Sequence, residues 1–408
     1  MPPLASCRSR ICAGTPSRSR SAPPGSQHLR EDDVKLHRYG RAAAILSVAS
    51  LALVACGEAN NPGGENAAGG DGDNGGETSE VQGTLSGGGS SAQEAAMTAW
   101  TNGFTSVAPE AQVNYASVGS GSGREGFLGG EYDFAGSDAA MDDGEWEQSQ
   151  EVCGPDGAFH IPSYISPIAA AYNVEGIDGT LNLDADTLAR IFTGDITSWD
   201  DEAIVEHNPD LDLPDTPITV VHRADDSGTT ENFTEYLEAA APDVWEWEAD
   251  GAWPAEVSSE SAQQTSGVVD LTTSTDGAVT YADASQIGGL DSVAVQVGEE
   301  YVEYSPEAAA QAVASSSPVE GQAPNNMAVE LDRETEESGA YPIVLVAYNI
   351  FCNEYPEQET VDLVKAFGEY VVSEDGQSTA ESAAGNAPMS DELRDQALEA
   401  LDQISAAE

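Results

Sequence analysis

Beyond residue 80, short apolar runs alternate with segments whose apolar side chains recur every three or four positions. The runs at 113–115, 168–172, 218–221, 278–281 and 343–348 carry Val, Ile or Tyr and are too short for buried helices, so they predict strands. Helical spacing predicts helices at 92–104 and at 183–192, the second with Leu183, Leu188, Ile191 and Phe192 on one side. Ser305 and Pro306 read as the cap and first residue of an Ala-rich helix. Val361, Val364, Phe367 and Val371 mark another helical face, and Leu393, Ala397, Leu401 and Ile404 the last. This alternation predicts an α/β fold with buried, largely parallel sheets.

The first 80 residues follow different rules. Lys35, Arg38 and Arg41 precede a predominantly apolar run at 42–55 that closes on Leu53-Val54-Ala55-Cys56. A basic stretch, a short apolar stretch and small residues at the cut predict an export signal over 1–55. The run falls short of the ~20 residues a spanning helix needs. Leu-Val-Ala-Cys resembles a bacterial lipobox, so cleavage before Cys56 and lipidation of its thiol are expected, with an ordinary signal peptide as the alternative. Residues 1–33 add a second basic stretch that the signal does not need, and translation is expected to start at Val34. Residues 57–80 hold eight Gly and six acids, and with Cys56 they form a flexible tether at 56–80. Its reach is roughly 25–30 Å.

Composition sharpens this division. The 408 residues contain 72 Asp plus Glu against 14 Lys plus Arg, a formal charge of −58. Eight of those bases lie in residues 1–55, so from residue 56 onward 69 acids face six bases and Lys365 is the lone lysine. Nucleic-acid binding, which needs a basic face, is excluded, as is docking on an anionic membrane surface. With 40% apolar residues the chain still builds a core, and its length allows two or three lobes. The acidity itself is read as a solvated shell suited to a salty habitat.

Cysteine usage fits export. Cys7 and Cys12 fall in the segment to be removed and Cys56 is taken by lipid, leaving Cys153 and Cys352. One disulfide between them is expected in an oxidising compartment, with two free buried thiols as the alternative. A metal site and a cofactor are not expected, since no His lies near either Cys in sequence.

Candidate chemistry sits in four polar, Gly-rich turns, at 85–92, 119–124, 134–138 and 220–230. Helix starts offer unpaired N–H donors and a positive dipole end, so they hold anions without formal charge. Taken singly, such turns are usually plain N-caps. The fourth differs because bases are scarce, yet Arg223 stands there beside Ser227-Gly228-Thr229. A guanidinium fork suits two oxygens of a tetrahedral oxyanion, and Asp225 can hold it in place. None of the four ends in the Gly-Lys-Ser/Thr of a nucleotide-binding loop.

In order along 85–370, the stretch Ser86 through Ala92, Gly119 through Gly123, Phe134 through Asp138, Trp199-Asp200-Asp201, Arg223 through Thr229 and the strand at 277–281 resemble the phosphate-binding receptors of bacterial phosphate ABC importers, the PstS family. The resemblance implies a type II periplasmic-binding-protein fold of class α/β. Its two lobes, each a mixed sheet flanked by helices, are joined by hinge strands and expected at 81–171 with 341–408 and at 172–340. It implies that Ser91, the Ala92 N–H, Ser120, Asp138, Arg223, Ser227, Gly228 and Thr229 bind inorganic phosphate, with Asp225 orienting Arg223. It also implies permease subunits of a phosphate ABC importer as partners, no enzymatic activity, and a place on the outer face of the cell membrane through Cys56. The chain departs from the family pattern at Ala92, where an aromatic is common, at Asp226, which replaces Gly, and at Arg124, which is extra and reads as a solvated loop residue, with a second anion contact as the alternative. A receptor for sulfate or molybdate is the near alternative and a secreted phosphate-ester hydrolase the distant one. His160, His207 and His222 show no motif that would set a base beside a serine.

Overall fold

The computed structural model describes residues 81–177 and 179–407. The expected signal at 1–55, the start at Val34, the lipid-bearing Cys56 and the tether lie outside the described residues. In chain order the strands are β1 (Gln82–Gly89), β2 (Glu110–Ser117), β3 (Phe134–Ser137), β4 (Ala158–Asn173), β5 (Leu181–Leu183), β6 (Thr219–Arg223), β7 (Glu260–Ala262) and β8 (Ala278–Asp283). They continue with β9 (Asp291–Val297), β10 (Glu300–Val302), β11 (Ser317–Pro318), β12 (Val329–Glu330), β13 (Val344–Cys352), β14 (Glu354–Tyr355) and β15 (Ser405–Ala406). The helices are α1 (Glu94–Val107), α2 (Ser120–Leu128), α3 (Asp143–Val152), α4 (Ala185–Thr193), α5 (Glu202–His207) and α6 (Gly228–Ala240). After them come α7 (Gln264–Thr273), α8 (Pro306–Ala314), α9 (Gln358–Val372), α10 (Glu374–Ala384) and α11 (Asp391–Asp402).

One curled sheet runs β2-β1-β3-β13-β4-β8-β6-β7, with β9 beside β4 carrying β5 and β10. It is mixed, which corrects the largely parallel arrangement read from the alternation. Strands β1, β2 and β3 are parallel, as are β6, β7 and β8, because helical crossovers join them. The late strand β13 inserts antiparallel to both β3 and β4, and β4 is antiparallel to β8. The 16-residue β4 thus pairs with β13 through its first part and with β8 through its last. All five apolar runs lie in or overlap strands, and β13 is buried along its whole length.

Local chemistry moves some expected boundaries. Residues 85–89, read as a turn, are the end of β1. A Cβ on Gly87 would stand 2.3 Å from the Phe134 ring and one on Gly88 2.4 Å from the Tyr132 ring, so here glycine admits aromatic packing onto a strand. Residues 120–124 likewise open α2 rather than a loop. Leu183 belongs to β5, since Asp184 caps α4 by accepting the Thr187 N–H at 2.8 Å. Ser305 and Pro306 do start α8. Cys153, at the end of α3, and Cys352, at the end of β13, form a disulfide with Cα atoms 4.6 Å apart, so they are not two free thiols. Trp100 and Trp199 are fully buried, and their indole N–H groups donate to Gly376 O and Gly277 O. Among the described residues no helix is long and apolar enough to cross a membrane.

Candidate functional site

Carboxyl ends of β1, β3 and β6 and the starts of α1, α2, α6 and α7 meet at one place. Ser90, Ser91 and Ala92 link β1 to α1 and are at most 1% exposed. The Ser91 hydroxyl lies 3.0 Å from Thr265 Oγ1 and accepts the Thr265 N–H at 3.1 Å. Ser120, first in α2, accepts the Asp138 N–H on its Oγ at 3.1 Å.

Asp138 follows β3 and is 3% exposed. Its carboxylate accepts from Ser90 Oγ and, at 3.0 Å, from Thr229 Oγ1. Burial pushes its pKa up, opposed by the two hydroxyl donors and by the charges of Arg223 and Arg124. Its carbonyl accepts from Asn232 Nδ2 at 2.7 Å.

Arg223 ends β6 and is 3% exposed. Its guanidinium is clamped on Asp225, with Nε donating to Oδ1 at 2.9 Å and Nη2 to Oδ2. Burial would raise the Asp225 carboxyl, but the hydrogen bond and charge of Arg223, joined by the Gln264 N–H, hold it below its ordinary value. Nη1 reaches Thr265 Oγ1 at 3.5 Å. At the start of α6, Ser227 Oγ caps the helix through the Thr230 N–H at 3.3 Å. Gly228 lies so close to α2 that a Cβ would stand 2.7 Å from Ser120 Oγ and 2.8 Å from Asp138 Cβ.

The structure therefore brings together Ser91, Ala92, Ser120, Asp138, Arg223, Ser227, Gly228 and Thr229, with Asp225 behind Arg223. Arg124 requires a correction: it is 8% exposed, not a solvated loop residue. Glu145 takes its Nε at 2.9 Å, Ser137 Oγ takes Nη1 at 2.9 Å, and Glu231 stands 4.0 Å away. Glu231 is pushed up to about 7 by burial, against the pull of Arg124. Sequence reasoning missed Ser90, Asn232, Gln264 and Thr265. The Thr265-Ser266-Gly267 hydroxyl-and-glycine pattern at a helix start was the available signal.

The histidines are engaged elsewhere. His160 accepts the Met141 N–H on Nε2 at 3.0 Å, sits 2.7 Å from Asn326 Oδ1, and is lowered to about 4 by burial. His207 contacts Tyr301, and His222 stacks on Trp253. Among the described residues no group of three or more His, Cys, Asp or Glu is placed to hold a metal ion.

A family model described as a PBP superfamily domain matches residues 74–375. Phosphate-binding protein PstS 3 of Mycobacterium tuberculosis is 34% identical over 382 residues, covering 91% of this chain and 100% of the relative. The chain belongs to the PstS family. PstS 2 of the same organism is 34% identical over 342 residues, covering 82% of this chain and 90% of its own. A phosphate-binding protein from Stenotrophomonas maltophilia aligns with a TM-score of 0.61 at 21% identity, over 78% of this chain and 94% of that one. Even at that low identity the fold is shared.

Proposed function

We propose that this chain captures inorganic phosphate in a cleft between two lobes and delivers it to an ABC importer. The observation that carries this reading is the buried Arg223 fork, held by Asp225 and within electrostatic reach of the buried Asp138, beside the starts of α1, α2 and α6. Ser91, the Ala92 N–H, Ser120, Arg223, Ser227, Gly228 and Thr229 are the donors, and Asp138 is the acceptor. Phosphate keeps a proton near neutral pH and donates it to Asp138, whereas sulfate has none and sets acceptor against acceptor. Receptors for sulfate or molybdate are disfavoured by that carboxylate. The hydrolase reading is disfavoured by the histidines, since the ring contacts of His160, His207 and His222 are with residues other than Ser91, Ser120 and Ser227.

The lobes are 81–171 with 341–408, and 172–340, closing by hinge motion. Export, lipidation at Cys56, a place on the outer face of the cell membrane and docking on permease subunits complete the proposal. The chain binds and hands over its ligand without transforming it.

Titration calorimetry with phosphate, sulfate and molybdate, followed by an assay with a chromogenic phosphate ester, tests the assignment. Tight phosphate binding without turnover is expected; ester hydrolysis, or stronger binding of sulfate, would overturn it. Asp138→Asn should shrink the preference for phosphate over sulfate by roughly ten- to hundredfold, the value of an unpaired buried acceptor. Equal competition in wild type and variant would refute that role. Gly228→Ala should weaken phosphate binding by about tenfold or more, since its methyl meets Ser120 and Asp138 before closure is complete.

A further inference from the structure

Gln264 and Thr265, at the start of α7, make more contacts around the site than the phosphate reading alone uses. Gln264 has φ +63°, the one positive value of a non-glycine among the described residues. That conformation is uncommon for a side-chain-bearing residue and persists only where surroundings hold it. Here three groups do. The Gln264 N–H donates to Asp225 Oδ1 at 2.8 Å, its Nε2 donates to Ser117 O at the end of β2, and Thr265 N–H donates to Ser91 Oγ at 3.1 Å. Thr265 is 1% exposed, and its hydroxyl lies between Arg223 Nη1 at 3.5 Å and Ser91 Oγ at 3.0 Å.

We propose that Gln264–Thr265 is a latch that ties the β6–α7 side of the site to β1 and β2 and fixes the direction of the Ser91 hydroxyl. Arg223 only donates, so Thr265 Oγ1 accepts from it and donates its own O–H to Ser91 Oγ. The Thr265 N–H takes a second acceptor position on the same oxygen. Ser91 is then left with its O–H alone to offer, which makes it a donor aimed at an oxyanion. The latch deepens the phosphate assignment and rests on it. It makes Thr265 a positioning residue and predicts that ligand residence time depends on it.

The test measures phosphate affinity and dissociation rate, by calorimetry and by stopped-flow tryptophan fluorescence, for wild type, Thr265→Val, Thr265→Ser and Gln264→Ala. Thr265→Val should raise Kd by about tenfold, the worth of one to two net hydrogen bonds, mainly through faster dissociation. Thr265→Ser should restore wild-type values, and ligand-free melting temperatures should stay close together. Gln264→Ala should speed dissociation without touching any ligand-facing atom. A Thr265→Val protein with wild-type dissociation, or a Ser variant as impaired as Val, overturns the latch. Failure of wild type to bind phosphate overturns the functional assignment instead. The latch is then judged by X-ray scattering of the ligand-free proteins: a more expanded Thr265→Val supports it, and identical profiles refute it.

Discussion

Arg223→Met is expected to weaken phosphate binding by about 10²- to 10⁴-fold, because two charge-assisted hydrogen bonds worth ~1.5–3 kcal/mol each disappear. Met preserves most of the side-chain length, so the loss isolates the guanidinium. Stability should fall as well. Asp225, its side chain 11% exposed, is left as an uncompensated carboxylate, which costs about 3–5 kcal/mol in buried pairs. Combining Arg223→Met with Asp225→Asn should recover stability but not binding, and calorimetric titration beside thermal melts separates the two. A sign follows for pH. The Asp225 carboxyl is held below its unfolded value, so its contribution is complete above about pH 3.9 and is lost as pH falls through the lower folded value. Wild type should therefore show an acid-side loss of stability that Arg223→Met has already forfeited. A Met variant that binds phosphate normally would remove Arg223 from the site.

Replacing both Cys153 and Cys352 with Ser should cost stability without altering the phosphate site. The bridge spans a sequence separation of 199 residues. Opening a loop of that size releases chain entropy worth up to about 5 kcal/mol in the unfolded state. For a folded region of this size that corresponds to a fall in melting temperature of roughly 5–10 °C. Calorimetry of wild type with and without reductant, beside the double variant, provides the check. Coincident melting curves would show that the bridge adds nothing. Phosphate affinity should be unchanged, because the bridge joins the end of α3 to the end of β13, away from Arg223 and Asp138.

Much of this was legible because the relevant physics is local. The runs at 168–172 and 343–348 are buried on both faces, so continuous apolar sequence reveals them without any knowledge of neighbours. Ser305 and Pro306 announce α8 through groups that interact within one helical turn. Arg223 and Asp225 are two residues apart and find each other, as expected. What stayed hidden depends on distant partners. The glycines of β1 look like a turn until the Phe134 and Tyr132 rings lie on them. Arg124 looks solvated until α3 supplies Glu145. Prolines at 162 and 167 hide the first part of β4, of which only 168–172 was read as a strand, and Pro162 sits where the pairing with β13 shifts register, as strand prolines do at irregularities. Thr265 had no charge to draw notice, and its partner Ser91 is 174 residues away.

The placement of β13 also sets the order of assembly. Strands β3 and β4 lie close in sequence, yet they do not pair; β13 stands between them and pairs with both. Until residue 352 has been made, β3 and β4 lack the strand that joins them and Cys153 lacks its partner Cys352. Contacts of such long sequence separation form late and slowly. The half-synthesised chain thereby lacks the strand that joins β3 to β4, and that junction of the sheet is closed only after residue 352 is made.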